Sequence, residues 1–415
     1  MFRSLCNCHW SRQVSNMRHC WNKIFFVIIR VMVAINQIII TAPFIYFKTT
    51  KPIANMSKIA PEMEPTSKSL LKWKFRTHRL VTAMAIFLII FYITVSPFMF
   101  KLASDLYSNT RTKQDNLFII VAKVNMANDV LCSLLLMITH IYYREKIVEI
   151  LNLFNEIVMK VMQLQRDFVR FKIIVALMLK MGLSIYEMFL NIPFIIKSAN
   201  KFSTQSKVAF LFVLYLQELN YIFALNIFVC ILLMLSCSLQ LEKEFQCTHA
   251  LGNNLKILQL FDVQNSLQKL IGLFIKTFQF GIFLNILLYF VTILCNIYAL
   301  LDYYVTTQRL FCTFIVYILS VALELYSLIF VTYLCNRSQR KVKDLLLQRK
   351  ELYFMKSPGL LSIVETDMLW PQLQEFKLMG LLVIDNKFAL FLLSYSVNFI
   401  VIILQFAINK SAHKL

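Results

Sequence analysis

Residues 208–238 read VAFLFVLYLQELNYIFALNIFVCILLMLSCS, and Glu218 is their only charged side chain. A helix needs roughly 20 mostly apolar residues to cross the hydrocarbon of a bilayer, where only helices and closed barrels satisfy their own backbone. This stretch meets both requirements. Seven more of similar character lie on either side of it, at 24–47, 80–100, 117–142, 171–196, 271–300, 310–335 and 384–408. The 117–142 stretch is the most polar, carrying Lys123, Asn125, Asn128 and Asp129. None alternates polar and apolar residues at period two, which argues against an outer-membrane barrel.

Composition points the same way. Hydrophobic residues make up 59% of the 415 positions and charged residues 16%, where a soluble domain carries about a quarter charged. The formal net charge of +21 raises nucleic acid as a partner, but the placement of the charge excludes it. With the last seven stretches spanning and the N-terminus inside, segments 1–78, 143–170, 239–270 and 336–383 hold 28 Lys and Arg. The outside segments 102–116, 197–207, 301–308 and 409–415 hold 7. This positive-inside skew explains the basic balance by contact with anionic lipid.

The first stretch admits two readings. Residues 1–23 are basic and 24–47 apolar, like the opening of a signal peptide, but the apolar run is too long for one and no cleavage site follows. It is either an eighth span or a segment folded back into the inner leaflet; Arg30 and Pro43 favour the second. Counting it as a span still leaves 24 basic residues inside against 11 outside. The expected architecture is therefore all-α and polytopic, with seven transmembrane helices, a cytoplasmic N-terminus and an extracellular C-terminus. Its divisions are a cytoplasmic region 1–79, a six-helix bundle 80–335, a linker 336–383, a last span 384–408 and a tail 409–415. The linker opens NRSQRKVKDLLLQRKELYFMK, which reads as an amphipathic helix running inward and broken at Ser357-Pro358-Gly359. A second helical run, 366–383, leads into the last span. With the 143–170 and 239–270 extensions, these predict a helical layer beneath the bilayer.

Chemistry is sparse. There is no HExxH, Walker loop, GxSxG or paired cysteine knuckle, so the sequence offers no catalytic apparatus, cofactor motif or resident metal site. Cys6, Cys8, His9, His19 and Cys20 lack the usual zinc spacing and read as a tail with reduced thiols. Ionisable groups inside spans are the exceptions to be explained: Asp129, Glu187, Glu218 and Glu324, with Lys123, Lys180 and Lys276. Glu187 and Glu218 fall in the outer halves of their helices, near Tyr186, Gln217, Asn220 and Tyr221. Later spans add Tyr289, Asn296 and Tyr317 at the same depth. An aromatic cavity with a few polar groups suits a small organic ligand; the plainer alternative is helix-to-helix hydrogen bonding and snorkelling lysines.

The last 35 residues of the bundle and its exit, FKLMGLLVIDNKFALFLLSYSVNFIVIILQFAINK from Phe376, narrow the choice. They resemble the C-terminal signature of the insect gustatory receptors, within the insect chemoreceptor superfamily. That signature has a Gly-containing lead-in helix, a polar break, and a final span ending Thr-Tyr, five apolar residues, Gln-Phe. Here Gly380 stands in the lead-in, Asp385-Asn386 in the break, and Asn398 to Phe406 read NFIVIILQF, with Asn398-Phe399 replacing Thr-Tyr.

The resemblance implies a tetrameric, ligand-gated, non-selective cation channel in the plasma membrane of taste neurons, assembled from identical or different receptor chains. The last span would line the pore, with Ile402, Gln405 and Phe406 at the gate, and 336–383 would supply an anchor helix. A small-molecule tastant would bind in the outer half of the bundle, where Tyr186, Glu187, Gln217, Glu218, Tyr221, Tyr289, Asn296 and Tyr317 are the candidates. In that family the first apolar stretch is not a span. Two alternatives stand beside it. A G-protein-coupled receptor would invert the charge skew and lacks here its Asp-Arg-Tyr and NPxxY motifs; a secondary transporter would need repeated, broken halves that are missing.

Overall fold

The computed structural model describes residues 44–48, 73–77, 79–109, 116–164, 171–198, 204–248, 254–307, 312–347, 375–380 and 382–412. Among them are eight helices, which we number α1 Arg79–Asn109, α2 Asn116–Tyr142, α3 Arg144–Leu164, α4 Phe171–Ser198, α5 Thr204–Thr248, α6 Asn254–Thr307, α7 Cys312–Leu347 and α8 Asn386–Ala412. Strand pairs β1 Phe44–Lys48 with β2 Trp73–Thr77, and β3 Lys377–Leu378 with β4 Leu382–Val383, complete the description. Six of the helices are long and apolar enough over their described residues to cross a membrane, α3 and α4 excepted. α4 reaches 28 residues and supplies the seventh; α3 does not span. The chain is a multi-pass, nearly all-helical membrane protein, as the sequence predicts.

α3 has a different character. It buries Ile147, Ile150, Phe154, Ile157, Val158 and Val161, which recur at helical period, and turns Glu145, Lys146, Glu149 and Glu156 outward. The chain passes from α2 into it through Tyr143 with the helical ladder almost intact, since the Ile147 amide donates to the Tyr143 carbonyl at 2.9 Å. α3 packs on the first half of α6, where Lys160 meets Asp262 at 2.8 Å.

α5, α6 and α7 have 45, 54 and 36 residues. A bilayer core of about 30 Å takes roughly 20 residues of helix, so these helices extend beyond the membrane. Their extensions meet at one end of the bundle. There Phe245 of α5 lies against Phe261 of α6 with ring centroids 6.1 Å apart. Glu242 of α5 accepts from Lys341 and Ser338 of α7, both at 3.4 Å. Gln339 of α7 bonds Ser238, Gln264 and Gln268 across the same interface. A helical layer beyond the bundle is thus present.

One expectation needs correction. Within the 366–383 run, Lys377–Leu378 and Leu382–Val383 pair as a hairpin rather than a helix, while 366–374 and 381 lie outside the described residues. Met379 and Gly380 have positive φ, 51° and 77°, a conformation glycine takes freely and a helix cannot use. The hairpin is pinned at its base: the Phe376 amide donates to Asn336 Oδ1 of α7 at 3.1 Å. Its ring is buried against Phe274 of α6. Within 24–47, residues 24–43 lie outside the described residues, and Phe44 to Phe47 belong to β1, paired with β2. Pro43 precedes the strand and has no N–H to extend a helix.

Within the bundle α5 is central, touching α1, α2, α4, α6 and α7, while α8 leans on α6 and α7 at the edge. Gly281 of α6 lets the helices close: a Cβ there would sit 3.4 Å from Leu136 of α2 and 3.7 Å from Ile227 of α5.

Candidate functional site

Helical spacing sets up the site before packing completes it. On α4, Lys180, Ser184 and Glu187 stand at i, i+4 and i+7; on α7, Tyr317, Ser320 and Glu324 stand at i, i+3 and i+7. Each set occupies one face of its helix. The two faces meet. Lys180 is ion-paired with Glu324, both fully buried. Glu324 Oε1 accepts from Ser184 at 3.1 Å, and Oε2 from the Tyr289 hydroxyl of α6 at 2.6 Å. Lys180 Nζ also lies over the rings of Tyr289 and Phe228, 5.5 and 5.8 Å from their centroids. A buried pair of this kind holds only if its remaining protons and lone pairs are satisfied, and here Glu324 is surrounded by donors.

One turn further along, Glu187 is 1% exposed. Ser320 donates to its Oε1 at 2.9 Å, and its Oε2 has no hydrogen-bond partner. The fields of Glu324, Lys180 and Glu218 all reach it. Beside it the Tyr221 and Tyr317 hydroxyls lie 3.3 Å apart, and Gln217 donates to each, at 3.1 and 3.3 Å. Tyr221 stacks on Tyr289 with centroids 6.2 Å apart.

The structure therefore brings Glu187, Gln217, Tyr221, Tyr289 and Tyr317 into one junction of α4, α5, α6 and α7. Glu218 is half-buried nearby. Tyr186 is 38% exposed on the outer surface of the bundle and faces away. Asn296 donates to the Thr292 carbonyl of its own helix at 2.7 Å. Lys180, Glu324, Ser184 and Ser320 complete the network and were not among the pocket candidates read from the sequence; their i, i+3/i+4, i+7 spacing on α4 and α7 was the available signal. The polar groups of α2 serve packing: Asn220 of α5 donates to the Asp129 carbonyl at 3.0 Å, and Asn128 to the Leu288 carbonyl at 3.4 Å. Lys276 is exposed and Lys123 half-buried. Among the described residues no three His, Cys, Asp or Glu side chains stand close enough to hold a metal. The N-terminal Cys6, Cys8, His9, His19 and Cys20 lie outside those residues.

The second feature is on α8. The residues it turns to the bundle are Phe388, Ala389, Leu392, Ser396, Phe399, Ile400 and Ile403. Lys387, Ser394, Asn398 and Gln405 are all exposed. At about 100° per residue these four fall within a sector of roughly 40°, opposite the packed face. Asn398 and Gln405 make no side-chain hydrogen bond to another described residue. Ile402 is 50% exposed beside the stripe. Phe406 lies in α8, and its side chain is outside the described residues.

A family model described as 7tm chemosensory receptor matches residues 65–410. A protein of Drosophila melanogaster named "Putative gustatory receptor 89a" is 31% identical over 340 residues, covering 81% of this chain and 90% of that one. The insect olfactory receptor OR5 from Machilis hrabei has a similar fold. Its TM-score is 0.58 at 10% identity, over 92% of this chain and 99% of that chain.

Proposed function

The chain belongs to the insect 7tm chemosensory receptor family, and from that premise we propose that it is a gustatory receptor working as a subunit of a tastant-gated, non-selective cation channel. Membership leaves the G-protein-coupled receptor and transporter alternatives without support, and it makes the chain a receptor rather than an enzyme. In this reading α8 lines a pore shared by four identical or related chains in the plasma membrane of taste neurons. Ile402, Gln405 and Phe406 form the gate, and the tastant binds at the junction around Glu187, Gln217, Glu218, Tyr221, Tyr289 and Tyr317. The skew of basic residues supports a cytoplasmic N-terminus, which puts the helical layer inside and the gate outside.

The polar stripe of α8 carries the proposal. An amide facing lipid is costly, and a polar group inside a membrane normally faces the protein interior or water. Asn398 and Gln405 point away from their own bundle, so water between subunits is the surroundings that suits them. Apolar Ile402 beside them can close such a path by dewetting. The ligand junction is supported by its buried polar groups among aromatic rings.

Cysteine accessibility tests the pore reading without a known tastant. Asn398→Cys and Gln405→Cys in the full chain, expressed in insect cells, should react with a charged methanethiosulfonate reagent above the parent's background. Leu393→Cys, on another exposed part of α8, should not. Equal protection at all three positions would remove α8 from a water path. Gln405→Ala should change ion conduction with surface expression intact.

A further inference from the structure

We propose that the junction of α4, α5, α6 and α7 is built for an organic ammonium ion, with Glu187 as its counter-ion and Tyr221, Tyr289 and Tyr317 as its aromatic wall. This rests on the ligand-binding reading above and names the chemical class of the ligand.

The argument is one of charge. The junction buries two carboxylates, Glu187 and Glu324, against one ammonium. Glu324 holds that ammonium in an ion pair and has both oxygens occupied. Glu187 keeps one buried oxygen without a partner, and Glu218 adds a further negative field. A buried carboxylate is costly until a proton or a cation neutralises it, so the junction has a place for one positive charge.

The protein also shows how it holds a cation here. Lys180 sits between a carboxylate and the face of a tyrosine, Glu324 and Tyr289. A carboxylate and tyrosines recur one turn away: Glu187 accepts from Ser320, which stands one turn of α7 from Tyr317, and the Tyr317 hydroxyl meets that of Tyr221. An ammonium ion would bond the free Glu187 oxygen and lie against the rings, where the ring quadrupole adds attraction. A neutral sugar or alcohol could meet the hydroxyls but would gain nothing from a carboxylate charge.

The full chain in lipid nanodiscs tests this by thermal unfolding with methylammonium and 2-phenylethylammonium, each against its neutral alcohol, methanol and 2-phenylethanol. We expect the melting temperature to rise with ammonium concentration and not with the alcohols. Glu187→Gln keeps the volume and the Ser320 contact. It should weaken ammonium binding about a hundredfold, as truncating a buried charge pair does. Equal effects of ammonium and alcohol, no ammonium effect, or undiminished ammonium binding by Glu187→Gln would overturn the proposal. Should Glu187→Gln not fold, the ammonium-to-alcohol contrast on the unaltered chain decides alone. Recordings separate the two readings. Ammonium binding without current would keep the site and remove the channel. Current evoked by neutral compounds and insensitive to Glu187→Gln would keep the channel and remove the site.

Discussion

α5 and α8 are both apolar helices of membrane-crossing length, yet the chain buries 72% of the most apolar window of one and 11% of the other. Lipid tails are as apolar as leucine, so a hydrophobic helix gains little from packing as such; contact shape and polar partners decide where it goes. α5 carries Gln217, Asn220, Tyr221 and Ser238, and each bonds a neighbouring helix or its own backbone in the interior. α8 turns Lys387, Ser394, Asn398 and Gln405 outward. α1 provides the control, with 17% of its window buried. Its exposed surface is Phe87, Ile90, Phe91, Ile93 and Phe98, as expected for lipid, and exposed Thr94 satisfies itself on the Ile90 carbonyl at 2.8 Å. Low burial alone thus fits a lipid-facing helix; low burial with a polar stripe fits the proposed role of α8 at a shared water path.

This contrast predicts a graded set of effects. The largest belongs to the interior. Glu324→Ala leaves the buried Lys180 without its partner and should cost about 3–5 kcal/mol, seen as loss of monodisperse protein in size-exclusion chromatography. Lys180→Met combined with Glu324→Leu should recover most of it. Equal yields for Glu324→Ala and the parent would mean that water reaches the pair.

Asn336→Ala lies between the two regions, at the join of α7 to the β3–β4 hairpin that leads into α8. It leaves the buried Phe376 amide unbonded at a cost of about 1–3 kcal/mol. Thermal unfolding should register that loss, and hydrogen exchange should rise in 375–383 while the interior of α5 keeps its protection. Exchange rising equally in both would show that hairpin and bundle open as one unit.

The smallest stability effect should come from α8. Asn398→Leu removes no side-chain hydrogen bond within the chain and should change the stability of the monomer, read by thermal unfolding, by less than about 0.5 kcal/mol, as surface substitutions do. It should nonetheless reduce conduction or assembly. A marked destabilisation of the monomer would place Asn398 in an intrachain contact and break the contrast.

Much of this was readable in advance. The spans follow from apolar runs whose length the bilayer sets, and α2 was rightly the most polar of them. The 366–383 segment misled because Lys377 to Ile384 is apolar enough for a helix, while its hairpin depends on Met379-Gly380 and on an anchor at Asn336, 40 residues earlier in the chain. Tyr186 adjoins Glu187 in sequence, but neighbouring positions on a helix point about 100° apart, which takes one outside and leaves the other buried.

The linear chain was enough to establish a multi-pass, nearly all-helical membrane protein, because hydropathy acts locally and needs no partner. It also contained the stripe of Lys387, Ser394, Asn398 and Gln405, since helical geometry converts spacing into direction. Pairing required the fold. That Lys180 meets Glu324, 144 positions away, while Glu187 keeps an oxygen unbonded, depends on how α4 and α7 rotate against each other. Apolar residues on every side of a helix leave that rotation free, and only the packed bundle fixes it.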